Sequence, residues 1–266
     1  MNKRFGVLFF FAFAQFSVLA QHRKPAAPQG LKASIIVPCY HGHARYLASI
    51  IELYEQQTIL PYEMVISLSE AQKVDASLIQ SLRRAKYVFP VTLITSDQKL
   101  HAGENRNNAC SRARGDIFIC QDADDIPHPQ RVEIIKYFFE TFNVDYLLHQ
   151  FMHDTDSFEI ITAKQQVPCV FLTRMDDVWH QGRLTFGNPA LHRRVFQGLH
   201  WGDLRMGEDV TFAAGVFALF NRNLVVKFPL YVYRSELSSL HAKMRNARRV
   251  VYSDTERCFS LVIEQV

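Results

Sequence analysis

Asp122, Asp124 and Asp125 fall within four consecutive positions of the stretch DIFICQDADDIPHP, which runs from Asp116 to Pro129. Carboxylates this close repel one another unless protons or a cation neutralise them. Hard divalent ions such as Mg²⁺ or Mn²⁺ prefer oxygen ligands and commonly bridge one or two carboxylates to a diphosphate. The glycine and distal glutamate of an EF-hand calcium loop are absent. A plainer alternative is a helix start, with Asp125 as the cap. The residues just upstream, HAGENRNNACSRAR (101–114), favour the metal. Gly103 permits a tight turn, a helix N-terminus beside it attracts anions, and Arg106 on the first turn is placed to reach a phosphate or ribose. A second acidic pair, Glu208 and Asp209, opens an apolar run. Asp209 there is either a general base or a helix-capping residue.

Alternating strands and helices are predicted to position these groups. Ala33 to Val37 is a β-branched run ended by Pro38, as in a strand buried on both faces. Further strands are expected at 64–68, 91–95 and 116–120, with helices over 43–57, 74–85, 104–113 and 129–142. Such alternation indicates right-handed βαβ units and a mainly parallel sheet. The strand ending at Asp122 delivers the aspartates to a carboxyl end, where ligands bind in open α/β sheets. The second half is less regular. Short strands are predicted at 146–151, 159–162, 170–172, 224–228 and 230–233, with a buried helix over 209–220.

The chain of 266 residues is 48% apolar and 21% charged, enough for a full α/β core. A net charge of +4 does not suggest nucleic acid. The late basic cluster Lys243, Arg245, Arg248 and Arg249 is either a solvated helix face or a contact for phosphate or anionic lipid. Five cysteines, Cys39, Cys110, Cys120, Cys169 and Cys258, show no zinc spacing; one disulfide is left open. Residues 1–20 have the three parts of a secretory signal: Lys3 and Arg4, an apolar run from Phe5 to Ala20, and small residues before a polar stretch. A cleaved signal peptide and an uncleaved signal anchor are both compatible with this pattern, so membrane association would come through the N-terminus. The expected compartment is a secretory lumen, the exterior or a membrane surface, or the cytoplasm if an anchor faces the cytosol. Residues 21–30 read as a linker.

Together these segments resemble the inverting, family 2-like glycosyltransferases of GT-A fold. The resemblance rests on SIIVPCY (34–40), GENRNNACSRARGDIFICQDADD (103–125), GNPALHRRVF (187–196), MGEDVTFAAGVF (206–217) and PLYVYR (229–234), in the family's order. It implies one GT-A domain over 31–266, a mainly parallel central sheet with helices on both faces and a smaller mixed or antiparallel extension. A nucleotide-sugar half would cover 31–127, an acceptor half 128–240 and a tail 241–266. The resemblance also implies a nucleotide-diphosphate sugar donor, most simply a UDP-sugar, and Mn²⁺ or Mg²⁺ as cofactor. Carried onto this chain, Pro38 and Tyr40 flank the nucleobase, with Glu70 of SLSE (67–70) where the family has acidic base readers. Gly103, Arg106, Asp122 and Ala123 belong to the donor site. Asp124 is the direct metal ligand and Asp122 touches ribose or metal. His241 or Glu236 would stand in for the family's late histidine ligand, with a plain surface residue the alternative for each. Asp209, paired with Glu208, is the general base. Trp201 and His180 are candidates for stacking on an acceptor that is a glycan, glycolipid or protein, with core packing the alternative for Trp201. The competing readings are a sugar nucleotidyltransferase and a secreted carbohydrate- or nucleotide-binding protein without activity.

Overall fold

The computed structural model describes residues 30–153 and 158–234, and two short antiparallel strands at Val250–Val251 and Val262–Ile263. The leader, most of the linker, the late basic cluster, Glu236, His241 and Cys258 lie outside the described residues. Among the described residues no helix is long and apolar enough to cross a membrane.

Strands β1 (Ala33–Tyr40), β2 (Glu63–Ser69), β3 (Val91–Ser96) and β4 (Ile117–Cys120) form a parallel set in the order β3-β2-β1-β4. The central strands β1, β2 and β4 are rich in buried apolar residues because both their faces are covered, whereas the edge strand β3 is only half-buried and carries Thr92, Thr95 and Ser96. Ile35 and Val37 face one core with Met64, Ile66, Ile117 and Ile119, under α1 (Leu47–Glu55), α2 (Ala76–Arg84) and α4 (Arg131–Phe142). Ile36, Val65, Phe118 and Cys120 face the other, under α3 (Ala102–Arg112), α5 (Arg193–Gly198) and α6 (Glu208–Leu219). Beyond β4 the sheet continues through β8 (Ala190–His192), β6 (Tyr146–His153), β9 (Asn223–Tyr233) and β5 (Ile126–Pro127), while β7 (Cys169–Leu172) pairs with β9. Here β4/β8, β6/β8, β5/β9 and β7/β9 are antiparallel and β6/β9 is parallel, which is the mixed extension expected.

Three differences from the predicted elements have local causes. The strand expected over 159–162 is absent, because side chains satisfy its backbone instead. Gln130 bonds both the N–H (2.7 Å) and the carbonyl (2.8 Å) of Ile161, and His128 Nε2 meets the carbonyl of Glu159 (2.9 Å). The two strands expected at 224–233 are one, since Pro229, which cannot donate to a ladder, sits opposite Gln150 where the β6/β9 register shifts. The short β8 carries too few residues to show a period, yet it joins the parallel half to the extension. Cys39, Cys110, Cys120 and Cys169 are free thiols, the first three buried.

Candidate active site

The chain leaves β1 for β2 and β3 on one side, then returns through α3 to β4 on the other. That reversal opens a crevice at the strands' carboxyl ends. The cleft, about 400 Å³, is lined there by Pro38, Tyr40, Glu70, Arg106, Asp122, Ala123, Asp124, Glu208 and Asp209. Nine sequence-predicted residues thus meet in one place, from segments as far apart as β1 and α6.

Asp125 is not a helix cap. Helix α4 begins at Arg131 with Gln130 before it, and Asp125 is buried, accepting hydrogen bonds from Asn188 Nδ2 (2.7 Å) and the Arg234 N–H (3.1 Å). Burial, with the neighbouring charges of Asp122 and Asp124, drives its carboxyl well above the usual range. Asn188 also accepts the Asp122 N–H through Oδ1 (2.6 Å), and its carbonyl accepts from the fully buried Arg131 (2.9 Å). One asparagine therefore clamps both ends of the acidic loop. Sequence reasoning gave it no role; an Asn-Pro step directly before a buried strand was the available signal. With Asp125 and Asn188 fixing the loop, Asp122 and Asp124 are presented to the cleft.

Arg106 lies almost fully buried between the two acidic segments. Its Nη2 donates to Asp122 Oδ1 and its Nη1 to Glu208 Oε1, each at 2.9 Å. Nη1 and Nη2 each hold a carboxylate, while Nε is buried without a hydrogen-bond partner among the described residues, so in this arrangement Arg106 is engaged with the protein's own acidic groups at the wall of the cleft. Burial works against its charge, but the carboxylates of Asp122 and Glu208 outweigh it and hold the group protonated. Burial likewise raises Glu208, and Arg106 opposes that rise. Gly207, at φ 77°, turns the chain into α6 in a conformation glycine tolerates. Asp209 then lines the cleft with one carboxylate oxygen bonded to the Val210 N–H (2.8 Å) and the other without a partner among the described residues. Of the Glu-Asp pair, Glu208 is engaged and Asp209 is available.

Gly103 does not make a tight turn: it lies inside the first turn of α3, where the loop before α6 packs directly on the helix. A Cβ there would stand 2.4 Å from the Gly202 carbonyl and 2.9 Å from Trp201 Cβ. One turn further on, Asn107 bonds the Trp201 backbone twice, Nδ2 to the carbonyl (2.8 Å) and Oδ1 from the N–H (3.0 Å). The Gly103→Ala variant should lose about 1–3 kcal/mol of stability by overpacking, read as a lower denaturant midpoint, and should misplace the loop leading to Glu208.

At the β1 and β2 end of the cleft Glu70 adopts left-handed backbone (φ 54°) and bonds Lys73 and His41 Nδ1 (3.1 Å). Lys73 foremost, and His41, lower its carboxyl pKa. Tyr40 is partly exposed, with its ring 4.4 Å from that of His43, whose Nδ1 lies 3.4 Å from Asp124. The two acceptor candidates are not gathered into the cleft. Trp201 is buried, stacked on Phe212 at 3.9 Å and 12°, as core packing requires. His180 is exposed at the end of the short turn Met175–His180.

The lining offers hard oxygen donors for a divalent cation. Six carboxyl groups (Glu70, Asp122, Asp124, Asp125, Glu208, Asp209) face three basic side chains (Lys99, Arg106, Arg205). This acidic excess fits an added cation. Among the described residues, however, no three His, Cys, Asp or Glu side chains form a ready-made metal cluster. Asp122 and Asp124 are the side chains of the lining that would hold such an ion, with the remaining ligands supplied from outside the protein.

A parallel half-sheet with its switch-point cleft, extended by antiparallel strands, is the GT-A architecture. The sequence profile of glycosyl transferase family 2 matches residues 34–227, and the chain belongs to that family. It is 30% identical over 117 residues to an uncharacterized glycosyltransferase of Haemophilus influenzae, covering 44% of this chain and 37% of that one. Over 94 residues it is 28% identical to the uncharacterized glycosyltransferase YfnE of Bacillus subtilis, covering 35% and 23%. The matched region thus spans well under half the length of these relatives. Among solved structures, S. aureus TarS 1–349 in complex with UDP-GlcNAc superposes with a TM-score of 0.64 at 16% identity, over 80% of this chain and 61% of that one. The complex of the same protein with UDP gives 0.62 at 16%, over 78% and 61%.

Proposed function

We propose that this protein is a metal-dependent, inverting glycosyltransferase that moves a sugar from a nucleoside-diphosphate sugar to a hydroxyl of a glycan, glycolipid or protein. The observation that carries this reading is the meeting, in one cleft, of the Asp122/Asp124 pair with an Asp209 carboxylate that keeps one oxygen free. Asp124 and Asp122 are the residues that would hold a divalent cation, whose chemistry there would be to neutralise charge on the departing diphosphate. Tyr40 and Pro38 bound the nucleobase pocket, and Glu70, in place of the family's usual acidic readers, faces the base. Asp209 accepts the proton of the acceptor hydroxyl as that oxygen attacks the anomeric carbon. The carbon–oxygen bond to the diphosphate breaks on the opposite side, so configuration inverts. The TarS complexes with UDP and UDP-GlcNAc, on the same fold, support a uridine donor here.

Incubating the protein with a panel of nucleotide sugars and Mn²⁺ tests this directly. Release of nucleoside diphosphate from at least one donor is expected, with UDP-sugars leading. Release of pyrophosphate would indicate nucleotidyl transfer instead, and no turnover with any donor would indicate a binding protein.

A further inference from the structure

Arg106 bonds an acidic residue of the donor side and one of the acceptor side with the two ends of one rigid plane. Nη2 meets Asp122 and Nη1 meets Glu208, both at 2.9 Å, and the side chain is only 3% exposed. The partners lie 16 and 102 residues away in sequence, so the contact is built by the fold. Guanidinium nitrogens are coplanar and cannot move independently. A shift that tightens one ion pair therefore loosens the other. Asp122 is also one of the two carboxylates offered to a divalent cation, so cation and guanidinium compete for the same negative charge. Glu208, for its part, opens α6 and is followed directly by Asp209.

Resting on the transferase reading above, we infer that Arg106 is a positioning residue coupling the two halves of the site. Before the donor complex binds, Arg106 occupies Asp122 and restrains cation binding. With a divalent cation on Asp122, Arg106 would be left to Glu208 alone, holding the start of α6 and with it the direction of Asp209. Donor and cation thus bind before the acceptor is engaged productively. A direct phosphate contact would require one of these ion pairs to open, because the remaining Nε is buried with no partner among the described residues.

Linkage makes this coupling reciprocal: if the cation weakens the Arg106–Asp122 pair, the pair must weaken cation binding. In the Arg106→Gln variant, Mn²⁺ titrated without nucleotide and followed by electron paramagnetic resonance should bind about tenfold more tightly, since a positive charge near its ligand is gone. Sugar transfer at saturating Mn²⁺ and donor should nevertheless fall about 100-fold, because Asp209 is no longer held. UDP affinity at saturating Mn²⁺ should stay within about threefold of the unmodified protein. Unchanged or weaker Mn²⁺ binding, or UDP affinity that falls in step with transfer, would overturn the coupling. If removing the buried charge unfolds the protein, Arg106→Lys keeps the charge but offers a single ammonium that cannot face both carboxylates in the same way. Transfer should then drop with Mn²⁺ affinity little changed, and full transfer by this variant would overturn the proposal. Absence of nucleoside diphosphate release from every donor by the unmodified protein would overturn the transferase reading itself, a result distinct from any of these.

Discussion

Asp209→Asn is expected to lower sugar transfer by about 10³-fold, within the range typical for losing a general base, while donor and Mn²⁺ binding remain intact. The substitution is nearly isosteric, and the amide oxygen can still accept the Val210 N–H that Asp209 now holds at 2.8 Å. What disappears is the basicity of the oxygen facing the cleft. Glu208 cannot substitute, because its carboxylate is bound to Arg106 and largely buried. Acceptor titrations at saturating donor would place the loss in kcat and leave the donor KM unaltered. Turnover close to that of the unmodified protein would move the base to another residue.

Removing divalent cations with excess chelator should depress transfer by about 10³-fold or more, corresponding to several kcal/mol of leaving-group stabilisation. Six carboxyl groups line the cleft against three basic side chains, and Arg106 is already committed to two of those carboxylates. A diphosphate entering without a cation therefore adds negative charge to an acidic wall. Readdition of Mn²⁺ should restore the rate, as measured by nucleoside diphosphate release. Full activity in chelator would remove the metal from the mechanism and leave Lys99 and Arg205 as the free basic groups of the lining.

The parallel half of the fold was legible because its central strands are buried on both faces, which leaves continuous runs such as SIIV and DIFIC, while the half-exposed edge strand β3 still shows as a β-branched run. Asp122, Asp124 and the Glu-Asp pair were legible from their surroundings, because each cluster alone reads equally well as a helix cap and only the neighbouring segments in the family's order favour a shared cleft. Partnership was harder to read. The helix position of Arg106 suggested a phosphate or ribose contact, but its carboxylate partners Asp122 and Glu208 lie on other elements and only the fold brings them within reach. Gly103 was assigned to a turn, since a sequence does not show a backbone carbonyl packing on a helix. Trp201 illustrates the same limit: its environment, not its type, makes it core. Strand β8 escaped because three paired residues carry no period, and the Asn-Pro step before it does not reveal that Asn188 will meet Asp122 and Asp125.

Asn188 also bears on the order in which this protein becomes functional. The acidic loop is held by a residue 63 positions beyond Asp125 and 66 beyond Asp122, on the segment that enters β8 between β4 and β6. Contacts of such separation close slowly because chain entropy must be lost first. The first four strands can pair without that segment, whereas the Asp122 amide gains its Asn188 bond only once β8 is seated. Completion of the cleft is therefore a late event in folding. Exchange of the Asp122 amide with solvent should follow the large-scale opening of the domain and not the local fluctuation of a loop.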